Sequence, residues 1–259
     1  MARTDFPRTD SLFRWADRVL GLGLAIALAG VVLTALPRNA HAADAMVTAT
    51  GPVTTESRNV GEFRAIAVSG GIDLKVGQGG QPAIEVKAEA NLLPYLETVV
   101  ESGTLQVRWK KGSKLRVKDT PQVSVTAVDL QSIATAGSSN VAISPLKTPK
   151  LAINLAGSGD VSIDTIQTEE LAVSIAGSSD VTASGQAGRL QLRIAGSGDI
   201  KCDALKADDV TVSISGSGDA SVHAAKSLSV SIAGSGDVLY RGDAQVKSSI
   251  VGSGAVRKR

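Results

Sequence analysis

Cysteine, histidine and aromatic side chains are what this sequence has least of. Among 259 residues there is one cysteine, two histidines and 3% aromatics. The lone Cys202 can close no internal disulfide, so the fold must hold without one. With so few rings, any core has to be built from aliphatic side chains, which 43% hydrophobic content can supply. Net charge is also missing. Once residues 1–42 are set aside, 22 basic residues face 22 acidic ones, and a general case for nucleic-acid binding fails.

Residues 1–42 are set aside because they read as a targeting segment. Arg3, Arg8, Arg14 and Arg18 precede an uncharged run from Val19 to Leu36, and Ala40-His41-Ala42 follows as a small-x-small cleavage site. The reading is a signal peptide cut after Ala42, with an uncleaved membrane anchor as the alternative. Either way the remainder leaves the cytoplasm, for the periplasm, the outer-membrane surface or the medium. After cleavage no integral membrane segment is expected, and residues 43–59 read as a linker or disordered lead-in.

What the sequence has in abundance is glycine, and it is periodic. "AGSGDV" at Ala156–Val161 returns with small changes, placing its first glycine at 137, 157, 177, 196, 216, 234 and 252. Steps of 20, 20, 19, 20, 18 and 18 residues are the signature of a solenoid. Before each turn, apolar residues fall two apart, as in Leu151/Ile153/Leu155 and Leu171/Val173/Ile175. A second alternating segment follows it: Val161/Ile163, Val181/Ala183, Ile200/Cys202, Ala220/Val222, Val238/Tyr240. That is strand periodicity. A third segment, such as "TIQTEE", leads to the next coil.

The expectation is therefore all-β: a parallel β-helix of 18–20-residue coils over residues 60–258, with three short strands per coil. Cys202 falls in an inward column with Ile163 and Val222 and reads as a buried hydrophobe. Residues 60–135 are strand-like but irregular, and are expected to form the first coils and cap the N-terminal end. Gly70-Gly71-Ile72-Asp73 resembles a worn copy of the turn.

Taken in order, "FRAIAVSGGIDLKVGQG", "NLLPYLETVVESGTLQVRWKKG" and the chain of "AGSGDV" turns resemble the head GIN domain of auto-transporter adhesins, from about Phe63 to Val256. The resemblance implies an exported right-handed β-helix of the cell envelope, and it brings no catalytic residues with it. Self-export would need a translocator of many membrane strands, and only "VGSGAVRKR" follows the last full repeat, so none is expected here.

Two sets of residues are candidates for a site. The first is the column Asn140, Asp160, Asp180, Asp199, Asp219, Asp237, which Ala255 ends. Stacked carboxylates about 5 Å apart repel by roughly 0.8 kcal/mol per pair in water. One reading is structural, with the side-chain oxygens capping tight turns through backbone N–H groups. The other is a cation ladder, because calcium-binding β-rolls also use Gly-x-Gly-x-Asp turns. Against it, those rolls repeat every nine residues or so with ligands on both edges, and here the turn comes once per coil.

A polysaccharide-cleaving reading gains nothing from the carboxylate spacing, because every pair of rungs has it. The flanking residues are mostly Ser, Ala and Val, and His223 stands alone, so no enzyme and no cofactor is expected.

The second set is the basic stretch "RWKKGSKLRVK", with Arg108, Lys110, Lys111, Lys114, Arg116 and Lys118. It reads either as a solvated hairpin that discourages edge pairing or as a patch for an anionic partner. Cell-surface or envelope glycans or proteins are the expected partners. The leading functional expectation is adhesion or envelope contact. A periplasmic scaffold or ligand-binding module is the alternative.

Overall fold

A computed structural model describes residues 46–259. The targeting segment and its cleavage site lie outside the described residues. Nineteen strands and one turn of 3-10 helix make up the described fold. In the N-terminal part these are β1 (Val47–Thr48), β2 (Val53–Arg58), β3 (Ala65–Ser69), β4 (Asp73–Gln78), β5 (Ala83–Glu89), the helical turn Leu93–Tyr95, β6 (Leu96–Glu101), β7 (Thr104–Trp109), β8 (Leu115–Arg116) and β9 (Gln122–Ala127). The solenoid follows as β10 (Ser132–Gly137), β11 (Val141–Ile143), β12 (Leu146–Gly157), β13 (Val161–Gly177), β14 (Val181–Gly196), β15 (Ile200–Gly216), β16 (Ala220–Gly234), β17 (Val238–Arg241), β18 (Gln245–Gly252) and β19 (Val256–Lys258).

From β10 onward every pairing is parallel, with each coil lying on the next. Leu151, Leu171, Leu190, Val210 and Leu228 form one buried column, and Leu155, Ile175, Ile194, Ile214 and Ile232 another. β-branched and aliphatic side chains suit this pleated, densely stacked interior. Cys202 sits in its column between Ala183 and Val222, wholly buried.

Three short strands per coil were expected. Instead β13 to β16 each run 15–17 residues, from just after one aspartate to the next turn glycine. The chain bends without leaving the ladder, so the intermediate corners interrupt the pairing little. Those corners also absorb the uneven coil lengths. Pairing slips between Ile163 and Ile166 opposite the shorter β14, and again between Cys202 and Lys206 opposite the shorter β16. The "AGSGDV" corner never slips.

Its first glycine is fixed twice over. Gly177 has φ of +140°, and a Cβ there would lie 2.1 Å from the carbonyl oxygen of Gly157 in the coil before. Glycine alone permits both the backbone angle and the approach.

At the N-terminal end the order in space departs from the order in the chain. β3 and β4 form a coil against β10 and β11. β7 and β9, which come later in sequence, stack on the far side of β3 and β4. Antiparallel strands then close the end: β5 joins β9, β2 joins β5, and β6 joins β7. Trp109 seals this region, donating its Nε1–H to Gly70 O at 2.9 Å.

The lead-in 43–59 is corrected as far as it is described. β2 pairs with β5 along its whole length, and β1 pairs with β8. The Asn91 side chain ties the segment down, accepting from Thr50 N–H and donating to Thr48 O, both at 2.9 Å. Arg58 anchors β2 through Leu93 O at 2.8 Å and through Leu96 O.

Candidate functional site

The aspartate column is one continuous hydrogen-bonded chain. Asn140 Oδ1 accepts the N–H of Asp160 at 3.1 Å; Asp160, Asp180, Asp199 and Asp219 each place Oδ1 on the next rung's N–H at 3.0, 3.0, 2.9 and 2.7 Å. Asp237 caps Ala255 N–H at 2.8 Å. The capping therefore runs between coils, where the sequence suggested bonding within one turn. Each N–H offsets part of the repulsion between successive carboxylates, because a hydrogen bond to a charged acceptor is stronger than a neutral one. Asp237 also has Arg257 Nη1 at 3.5 Å. Among the described residues no three His, Cys, Asp or Glu side chains gather as a set of metal ligands.

The column starts one coil earlier than the sequence count. Asp73 Oδ1 accepts Asn140 N–H at 3.0 Å, and Ser139 Oγ accepts Ile72 N–H at 3.1 Å. The resemblance of Gly-Gly-Ile-Asp to the repeat was the signal for it.

The basic stretch divides. Arg108 turns to β6, pairing with Glu101 at 2.8 Å and Glu97 at 3.2 Å. Its guanidinium pKa is raised by the Glu101 hydrogen bond first and the Glu97 bond second. It is thus not part of an open patch. Lys110, Lys111, Lys114, Arg116 and Lys118 are exposed, and no ion pair to them exists among the described residues. The β8 segment that carries Arg116 is held by β1. Five cations fall within nine residues, Arg116 on β8 and the other four in the segments that flank it, and such a cluster draws anions with a strength that salt screens.

Two single residues complete the inventory. Cys202 is buried, and desolvation followed by the nearby Asp203 charge pushes its thiol up to about 12. His223 is half-buried, one position past Val222. Sequence reasoning missed Glu89. On an alternating strand it reads as an outward acid, yet it is 2% exposed. Its Oε1 accepts Asp119 N–H at 3.0 Å. With Lys87, Asp119, Thr120 and Gln122 it lines a cavity of about 330 Å³.

This architecture recurs in solved structures. A "putative adhesin" of Bacteroides fragilis is 25% identical, with a TM-score of 0.79 over 82% of this chain and 100% of that one. A "putative lipid binding protein" of Parabacteroides distasonis is 29% identical, with a TM-score of 0.71 over 83% and 100%. A "putative adhesin" of Parabacteroides merdae is 25% identical, with a TM-score of 0.69 over 83% and 99%. Among curated proteins none is significantly similar in sequence. A family model matches residues 62–244, from the first coil through the last complete one. The chain belongs to the family described as "Putative auto-transporter adhesin, head GIN domain".

Proposed function

We propose that this is an exported, non-enzymatic surface-contact protein, in which the solenoid is a rigid stalk and the N-terminal cap carries the adhesive patch. The carrying observation is the set of five exposed, unpaired cations, Lys110, Lys111, Lys114, Arg116 and Lys118. Anionic envelope or cell-surface glycans, bearing phosphate or carboxylate groups, are the partners such a patch takes. The aspartate column supports the stalk role, since one oxygen of each carboxylate is committed to the next coil. The adhesin descriptions of the family and of two structural neighbours agree with this reading.

The test pairs location with charge. Whole cells carrying a C-terminally tagged full-length chain are treated with protease, and binding to anionic glycan is compared between parent and a variant with all five cations changed to glutamate. The expected result is loss of the tag from intact cells and at least a tenfold, salt-sensitive loss of glycan affinity in the variant. Protection of the tag until the outer membrane is opened would make this a periplasmic module. Unchanged glycan binding would remove the patch from the reading, and turnover of a polysaccharide would overturn the non-enzymatic role.

A further inference from the structure

The two ends of the solenoid are built differently. The N-terminal end is closed by antiparallel strands, but β18 pairs only with β16 and β19 only with β17. No described residue lies on their outer edge. The columns that are buried elsewhere surface here: Val246 continues from Leu228 and is 36% exposed, and Ile250 continues from Ile232 and is 39% exposed. Val251, the next residue along β18, is 73% exposed.

The backbone at this edge has a direction. Within the solenoid, inward residues donate forward, as Val161 N–H does to Asp180 O, and outward residues donate back, as Ala152 N–H does to Gln131 O. By the same alternation the N–H groups of Val246, Ser248 and Ile250 point past the last coil, and Lys247, Ser249 and Val251 bond back to β16.

Charge selects what can lie there. From Arg241 onward the chain carries Arg241, Lys247, Arg257, Lys258 and Arg259 against Asp243 alone. Arg241, Arg257 and Lys258 have carboxylate partners in Asp203, Asp237 and Asp243, and Lys247 stands outward on the open edge. A second copy of the same end would set Lys247 against Lys247. A lysine on an edge strand is a known guard against such self-pairing.

We infer that the β18 edge is a docking site for an extended acidic segment of a partner protein, added parallel to β18 as one further coil strand. Its backbone would accept from Val246, Ser248 and Ile250. Its alternate apolar side chains would extend the Val246 and Ile250 columns, and its acidic side chains would lie on the Lys247 face. Strand addition of this kind takes affinity from the backbone and selectivity from alternate side chains. This surface is separate from the basic stretch 110–118, so either proposal can fail without the other.

The probe is a fluorescein-labelled heptapeptide, Glu-Val-Glu-Val-Glu-Ile-Glu, titrated against the full-length chain. Controls are a scrambled peptide of the same composition and vesicles containing phosphatidylglycerol. Ser248→Pro removes one forward N–H without touching a bond to β16, and proline is tolerated on a sheet edge. The expected result is binding of the alternating peptide alone, at least tenfold weaker in Ser248→Pro and several-fold weaker in Lys247→Glu. Slowed amide exchange at Val246, Ser248 and Ile250 should accompany it. Equal binding to Ser248→Pro, equal binding of the scrambled peptide, no binding at millimolar peptide, or binding to anionic vesicles in place of peptide would each overturn the proposal.

Discussion

Asp199 accepts the N–H of Asp219 at 2.9 Å and sits between two other acidic rungs. Changing it to alanine strands that N–H, and the expected loss is about 1–2 kcal/mol in urea unfolding. Changing it to asparagine keeps the acceptor and relieves repulsion, so stability should stay within about 0.5 kcal/mol of the parent. Asn140 already does this in its own coil. Equal losses in both variants would assign the effect to charge and not to the bond. Cys202 supplies the pH dependence. Its folded thiol ionises at about 12, and an unfolded one near 8.5, so only the unfolded chain gains from thiolate formation at intermediate pH. The stabilising contribution is whole below about pH 8.5 and declines from there toward about pH 12. Between pH 8 and 10 the parent should lose about 1–2 kcal/mol more than Cys202→Ala does, measured by denaturant midpoints at each pH. Parallel curves would show that the thiol is not shielded.

Coil length varies because the corners differ in what they demand. The glycine corner must align Gly196 with Gly216 and Asp199 with Asp219 at once, so an extra residue there breaks two columns. The corner after Cys202 already tolerates a slipped register. A glycine inserted between Asp203 and Ala204 should cost less than about 1 kcal/mol, and one inserted between Ser217 and Gly218 about 3 kcal/mol or more, read from thermal melts. The same contrast explains what could be read in advance. The glycine corner recurs because every coil needs the identical backbone, and that need is written in residue identity. The softer corners share no residue from coil to coil, Gly185 standing where its neighbours have Ile166 and Leu205, so one bending strand per coil read as three. Arg108 looked like part of the patch for a related reason: Glu97 and Glu101 face it only because β6 runs antiparallel to β7.

At the scale of the whole molecule, the repeating part was legible from period and alternation alone, since each coil touches only its neighbours. The cap was legible as a cap but not as an arrangement. Nothing local in "TLQVRW" or "PQVSVTA" says that they stack outside "AIAVS" and "DLKVGQ"; that order depends on pairing across long stretches of chain. Strand composition likewise gave no hint that residues 53–58 form a sheet edge against β5. The parallel coils, stacked in chain order from β10 to β19, also set how the molecule answers a mechanical pull. Their hydrogen bonds run along the long axis, so tension on the last strand opens one coil's bonds at a time while the others stay shut. Each coil set free releases 18–20 residues, about 60–70 Å of contour length. Such a stalk is stiff up to the force that opens its last coil, and past that force it lengthens in near-equal steps, dissipating work at each.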